Sequence, residues 1–220
     1  MSEEGLFLDV GCGAKKQPGA IGIDHAPYPG VDHVLDLVKQ PLPFPDGSVG
    51  RVFSSHCIEH IADPVPVLKE MTRVCRDGAR VELWHPYAFH NNAFLFDHKA
   101  FLTEEHYLHI TSHQPRYWAE QLGGWWQIEE IVFAIAGDVV AELDDAGVDV
   151  DFAVKYLQNV VTEIGVFARI DKLGAPPETA PPPRRLYAVS RAPADRRPIV
   201  RPATRRRSLR EHFDRLRRSR

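Results

Sequence analysis

Six histidines crowd into one stretch of the chain, HPYAFHNNAFLFDHKAFLTEEHYLHITSH, residues 85 to 113. Imidazole moves protons near neutral pH and binds metals, so this stretch is a source either of general acid-base chemistry or of a metal site. A second chemically able group lies earlier. LFLDVGCGAKKQPGAIGIDHA, residues 6 to 26, sets Asp9 beside Gly11, Cys12 and Gly13 and closes on Asp24 and His25; Asp36 and Leu37 follow soon after. Glycines let backbone approach a ligand closely, and carboxylates receive hydroxyl donors and cations. A phosphate-binding turn would read G-x-G-x-x-G and open a helix. Here Lys16 stands where the third glycine would be, and aspartates gather where phosphate would be repelled. The expected ligand carries hydroxyls and positive charge but no phosphate.

These residues need elements to position them. GLFLDV (5–10) and AIGI (20–23) read as buried parallel strands ending at Gly11 and Asp24. Only the ten residues from Gly11 to Ala20 separate them, so the helix that normally follows such a turn is short or missing. A short apolar run before Asp36, VGRVFSSH (49–56), ARVELWHP (79–86) and WWQIEEIVFAI (125–135) continue the strands. DPVPVLKEMTRVCRDG reads as a helix capped by Asp63, with Pro64 in its first turn and Gly78 as its stop. A shorter helix is expected at 114–122. Apolar positions at Phe152, Leu157, Val160, Val161, Ile164, Phe167 and Ile170 favour a long amphipathic helix over 151–170. A proline-rich connector (174–183) leads to RRLYAVSRA as a last strand. Alternating strands and helices give an α/β fold with a mostly parallel sheet, whose ligand sits at the carboxyl ends of the strands. That places Ser54, Ser55, His56 and His85 at tips too.

The 220 residues, 44% hydrophobic and with net charge −3, suit one main domain (1–192), including a helical insertion at about 137–172. No apolar run is long enough to span a bilayer, and MSEEG lacks a signal-peptide pattern, so a cytoplasmic setting is expected. Cys12, Cys57 and Cys75 lack C-x-x-C spacing and read as reduced thiols. Pro193 to Arg220 holds 11 arginines against Asp195, Glu211 and Asp214, a basic tail on an acidic body. That body would repel a polyanion, and the tail lacks interleaved aromatics, so nucleic acid is not the expected partner.

LDVGCG, then GID, then DLVKQPLPFPDGSVGRVFSSHCIEHIADPVPVLKEMTRVCRDG resembles a class I S-adenosylmethionine-dependent methyltransferase of the small bacterial type with an abbreviated first loop. The resemblance covers roughly residues 5 to 113 and weakens to about 191. It implies a Rossmann-like, doubly wound, mostly parallel seven-stranded sheet with an antiparallel last strand, and S-adenosyl-L-methionine as cofactor. By position, Asp9, Gly11, Cys12 and Gly13 would face the methionine part. Asp24 would hold the ribose hydroxyls, His25, Asp36 and Leu37 would lie at the adenine, and Ser54, Ser55 and His56 beneath the sulfonium. Gly50 and RDGAR depart from the family pattern away from this pocket.

Related enzymes carry an acid-Pro-x-His pattern followed by Phe-Thr, partly matched by Asp97, His98, Phe101 and Thr103. His98, oriented by Asp97 or another acid, is the first candidate base, with His85 and His56 behind it. The rival use of these imidazoles is a metal at His106, His109 and His113 if they share a helical face; Thr111 and Pro115 argue against it, and no metal is expected. The resulting expectation is an enzyme that methylates a small molecule, a sugar or secondary metabolite, with oxygen the first guess for the acceptor atom. The alternatives are a non-catalytic module with a polyanion-binding tail, or a nucleic-acid or protein methyltransferase. No DPPY-like signature favours the nucleic-acid form. The 151–170 segment leaves a lid or a homodimer contact open.

Overall fold

The computed structural model describes residues 5–178 and 180–190. Its centre is one sheet of β1 (Leu6–Val10), β2 (Ile21–Asp24), β3 (His33–Val34), β4 (Val49–Ser55), β5 (Cys75–Pro86), β6 (Trp125–Ala136), β7 (Val161–Asp171) and β8 (Arg184–Ser190). They lie in the order β3-β2-β1-β4-β5-β7-β6-β8. The first five pair in parallel, β7 runs antiparallel to both β5 and β6, and β8 is parallel to β6. Strand order reverses between β1 and β4, and ligands bind at the carboxyl ends beside such a reversal. Asp9 to Gly13, Asp24 and Ser54 to His56 all lie there.

Helix α1 (Val65–Val74) buries Val67, Leu68, Met71 and Val74, the three-and-four spacing of one helical face. Pro64, not Asp63, holds the cap position of this helix, and no side chain caps it; the Asp63 carboxylate accepts the Val65 N–H at 3.1 Å from one residue further out. The helix passes straight into β5 at Cys75, so Gly78, with φ of 71°, lies inside that strand instead of stopping the helix. After β5 come α2 (Glu104–Leu108), a π-helical turn (His109–His113) and α3 (Pro115–Leu122). Two further helices, α4 (Gly137–Ala146) and α5 (Val150–Tyr156), follow β6. Trp126 Nε1 donates to Thr72 Oγ1 at 2.8 Å, fastening β6 to α1 inside the core.

Three expectations change. The sheet has eight strands, not seven. Its antiparallel member is β7, lodged between β5 and β6, whereas RRLYAVS forms the parallel edge strand β8. The helix expected over 151–170 ends at Tyr156: Asn159 takes a positive φ of 60°, and Val161 onward is strand. The β-branched residues Val161, Ile164, Val166 and Ile170 win over the helical spacing because a central strand buries them. Gly165 seals that outcome. It pairs with Trp84 across the antiparallel ladder, and a Cβ at this position would lie 2.5 Å from the indole. The helical part of the 137–172 insertion is therefore α4 and α5 alone. The basic tail, 193–220, lies outside the described residues.

Candidate cofactor and acceptor site

Between β1 and β2 the chain makes turns and no helix, and two carboxylates hold it instead. Asp9, 2% exposed, accepts the Gln17 N–H at 2.7 Å. Asp24, 6% exposed, accepts the Gly13 N–H at 2.8 Å and the Ala26 N–H at 3.0 Å. Burial raises the Asp9 carboxyl above its ordinary value, against the lowering effect of the Gln17 N–H. The two glycines have different jobs. Gly11 (φ 74°) packs on Cys57, where a Cβ would fall 2.5 Å from Sγ; Gly13 (φ 52°) has open space above it. The Cys12 side chain is buried, so only its backbone borders that space. Burial pushes its thiol up to about 11.

Lys16, one of two lysines in this loop beside the exposed Lys15, pairs with Asp32 at 2.7 Å, and Asp32 also accepts the Gly22 N–H. At the strand tips a phosphate would meet the buried carboxylates of Asp9 and Asp24. S-adenosylmethionine, with ribose hydroxyls, an ammonium and a sulfonium, fits this donor set: a carboxylate has about four acceptor positions, so Asp24 retains capacity for hydroxyl donors after its backbone bonds. His25 follows, largely exposed, with Nδ1 3.1 Å from Asp24 Oδ1. Asp36 lies at the surface on Lys39 (2.8 Å) and the Val38 N–H; these partners lower its carboxyl, the Lys39 hydrogen bond most. Leu37 packs partly against the core.

At the tip of β4, Ser54 Oγ donates to Val10 O at 2.7 Å and locks β4 to β1. Ser55 is half-buried beside it. His56 adopts φ of 54°, a left-handed conformation that costs a non-glycine residue about 1–2 kcal/mol. Its N–H donates to Trp84 O at 2.9 Å. Its ring lies between two buried carboxylates, with Nδ1 3.2 Å from Glu59 Oε1 and Nε2 3.2 Å from Glu163 Oε2. Glu163 first and Glu59 second raise its pKa to about 9, so the ring is an imidazolium at neutral pH.

The other two candidate bases sit differently. His85 is fully buried; its Nε2 is 2.8 Å from Tyr107 Oη and its Nδ1 2.9 Å from Pro86 O. Burial lowers it to about 4, and it stays neutral. His98 is half-buried, with Nδ1 3.2 Å from Ala93 O. Asp97 engages His60 and not His98, its carbonyl lying 3.1 Å from His60 Nδ1. In α2, His106 Nδ1 accepts the Thr103 N–H as part of a helix cap. His109 and His113 pack on each other, and His109 also on Trp118. Among the described residues, the donors that converge are Glu59, His60 and His98, not this trio. A surface groove of about 230 Å³ also exists, but it lies under the connector, between Pro181–Arg184 and β6, and not at these tips.

Glu59 and Glu163 were absent from the sequence-derived site. The local signal for Glu59 was its place three residues after His56. Glu163 has no such signal, because it arrives on β7, whose apolar spacing also satisfies a helix.

A methyltransferase-domain family model matches residues 8–83. A 40-residue segment, 18% of the chain, is 45% identical to ajmaline N-methyltransferase of Rauvolfia serpentina and spans 14% of that enzyme's length. The fold is similar to that of a SAM-dependent methyltransferase from Archaeoglobus fulgidus, at 16% identity and TM-score 0.54, over 76% of this chain and 86% of the other. Sheet and strand-tip site define the Rossmann-like α/β class. The matched segment, which contains the helix-free loop and the β4 tip, is similar to a methyltransferase domain, and the whole fold is similar to that of a SAM-dependent methyltransferase.

Proposed function

We propose that this enzyme methylates a small molecule, using the β1–β2 loop and Asp24 for the cofactor and the tip of β4 for the acceptor. The observation that carries the reading is Asp24, a buried carboxylate at the end of β2 that steadies Gly13 and still has capacity for hydroxyl donors. When bound, S-adenosylmethionine supplies a methyl group already activated by its sulfonium. The protein's part is to align an acceptor, exclude water and receive the acceptor's proton. Asp9, Gly11, Cys12 and Gly13 shape the loop, and His25, Asp36 and Leu37 flank the adenosine side.

On the acceptor side, His56 is favoured over His98 and His85 as the group that touches the acceptor. It sits at the strand tip in a strained backbone conformation, half-exposed between Glu59 and Glu163. Strain of this kind persists where the surroundings impose it, and it clusters at functional sites. The cluster provides an imidazole hydrogen-bonding group and two carboxylates able to hold a proton. Oxygen remains the first acceptor atom. Nitrogen is the second reading, favoured by the local match to an N-methyltransferase and by the surplus carboxylate charge, which suits an amine. Exposed Phe89, Phe94, Phe96 and Phe101 on the loop after β5 suit an acceptor with an apolar body better than a polyanion. The three free cysteines are consistent with the cytoplasmic setting expected from the sequence, and among the described residues no helix is long and apolar enough to cross a membrane.

Titration calorimetry with S-adenosylmethionine and with NAD tests the cofactor half: the first binds and the second does not, and Asp24→Ala weakens binding by about 100-fold while the fold persists. Unchanged affinity in that variant removes Asp24 from the site. A metabolite screen for consumption of S-adenosylmethionine identifies the acceptor, and the methylated atom decides between oxygen and nitrogen.

A further inference from the structure

The cluster Glu59, His60 and His98 has no place in the cofactor site, and each of its donor atoms is within 4.8 Å of the others. Its hydrogen bonds already prepare those donors. The Nδ1 of His60 lies 3.1 Å from Asp97 O, and the Nδ1 of His98 lies 3.2 Å from Ala93 O. A carbonyl can only accept, so in the neutral rings both Nδ1 atoms carry the proton and both Nε2 atoms carry a lone pair. This is the arrangement found around metal-bound histidines, where the second ring nitrogen donates to a carbonyl or carboxylate and fixes the ring. Asp97 Oδ2, 3.5 Å from His60 Nδ1, adds a carboxylate to that outer layer.

The third donor is the decisive one. Glu59 is 2% exposed; its Oε1 faces His56 Nδ1, while its Oε2 is buried without a hydrogen-bond partner. A buried carboxylate oxygen left without a partner costs about 1–3 kcal/mol, more when charged, and a cation removes that cost. The backbone fixes the juxtaposition before any ion arrives. The N–H groups of Lys99 and Ala100 both donate to Glu59 O, at 2.7 and 3.0 Å, holding the His98 loop against the turn that bears Glu59 and His60. The two rings meet edge to face with centroids 4.9 Å apart.

We propose that Glu59, His60 and His98 form a binding site for a divalent transition-metal ion of the zinc class. Two imidazoles and one carboxylate suit zinc, cobalt or ferrous iron and are a poor set for magnesium or calcium. Three protein donors leave a coordination position for water or an acceptor oxygen. The ion joins the 58–60 turn to the loop after β5. Through the shared Glu59 carboxylate it adjoins His56, so its role in catalysis rests on the function proposed above, but its binding does not.

Untagged full-length protein, freed of metal with a chelator and without S-adenosylmethionine, is titrated with Co²⁺ and then Zn²⁺. The expected result is one equivalent of cobalt with visible ligand-field bands of a nitrogen-oxygen site, displaced by zinc. His60→Ala and His98→Ala each weaken binding by more than about 100-fold, beyond the usual cost of an outer partner, and Asp97→Asn by about 10-fold. His113→Ala is the control and is unchanged. His60 is partly exposed, so its variant decides the matter if His98→Ala fails to fold. Affinity in the wild type equal to that of His60→Ala overturns the site. That result leaves S-adenosylmethionine binding untouched, whereas loss of cofactor binding alone leaves the metal site standing.

Discussion

Asp9 and Asp24 take backbone N–H groups from residues only eight and eleven positions away. Glu59 and Glu163 meet on one imidazole after arriving from a turn beyond β4 and from β7, which are far apart in the chain. The proposed cofactor half is thus a local device, a loop pinned by its own flanking acids. The proposed acceptor half is assembled by topology, and it exists only once β7 has slotted between β5 and β6. A local device resists distant mutations, while an assembled one depends on every strand that brings it together. Cofactor affinity and turnover should therefore respond to different residues.

The largest expected effect is on the assembled side. His56→Ala, which removes a positioned charged hydrogen-bond donor, should lower turnover by about 10²- to 10³-fold and leave S-adenosylmethionine affinity within about twofold; an equal loss of affinity would merge the two halves into one unit. Next is Asp24→Ala, which removes the proposed ribose acceptor and the partner of two backbone N–H groups. Calorimetry should show cofactor affinity down about 100-fold, or roughly 3 kcal/mol, with near-normal circular dichroism. Gly11→Ala places a methyl group on Cys57 at a positive φ, and should cost about 2–3 kcal/mol of stability in urea denaturation. Gly13→Ala has the same backbone penalty without the collision and should cost about 1 kcal/mol, although it intrudes on the open space where the cofactor fits. If the two glycine variants are equally stable, the division of labour between them is wrong.

The local device was readable from the sequence. Two glycines, Lys16 in place of a third, and acids at consecutive strand ends are short-range features, and the ten-residue spacing left no room for a helix. The assembled side was not. Glu163 lies in a segment whose apolar residues satisfy both a helical face and a two-sided buried strand, and only the pairing with β5 and β6 settles the choice. Asp97 and His98 are adjacent in sequence, but loop geometry turns Asp97 to His60. His85, exposed at a strand tip on paper, proves to be walled in by Tyr107 from α2. The mostly parallel sheet was legible, and only the direction of the last strand differs, for a related reason: direction follows from the crossover of the chain, not from the composition of a strand.

Gly165 makes one aromatic ring a gauge for the assembled half. The indole of Trp84 occupies the ground that a side chain at 165 would need, and its Nε1 donates to Glu82 at 2.8 Å. Glu163 sits two residues along the same strand. Any event that unseats β7 uncovers this ring to water and draws the carboxylate away from His56 in the same movement. A red shift in tryptophan emission should then run in step with the loss of methyl transfer, which would turn an otherwise silent strand into an optical readout of the active state.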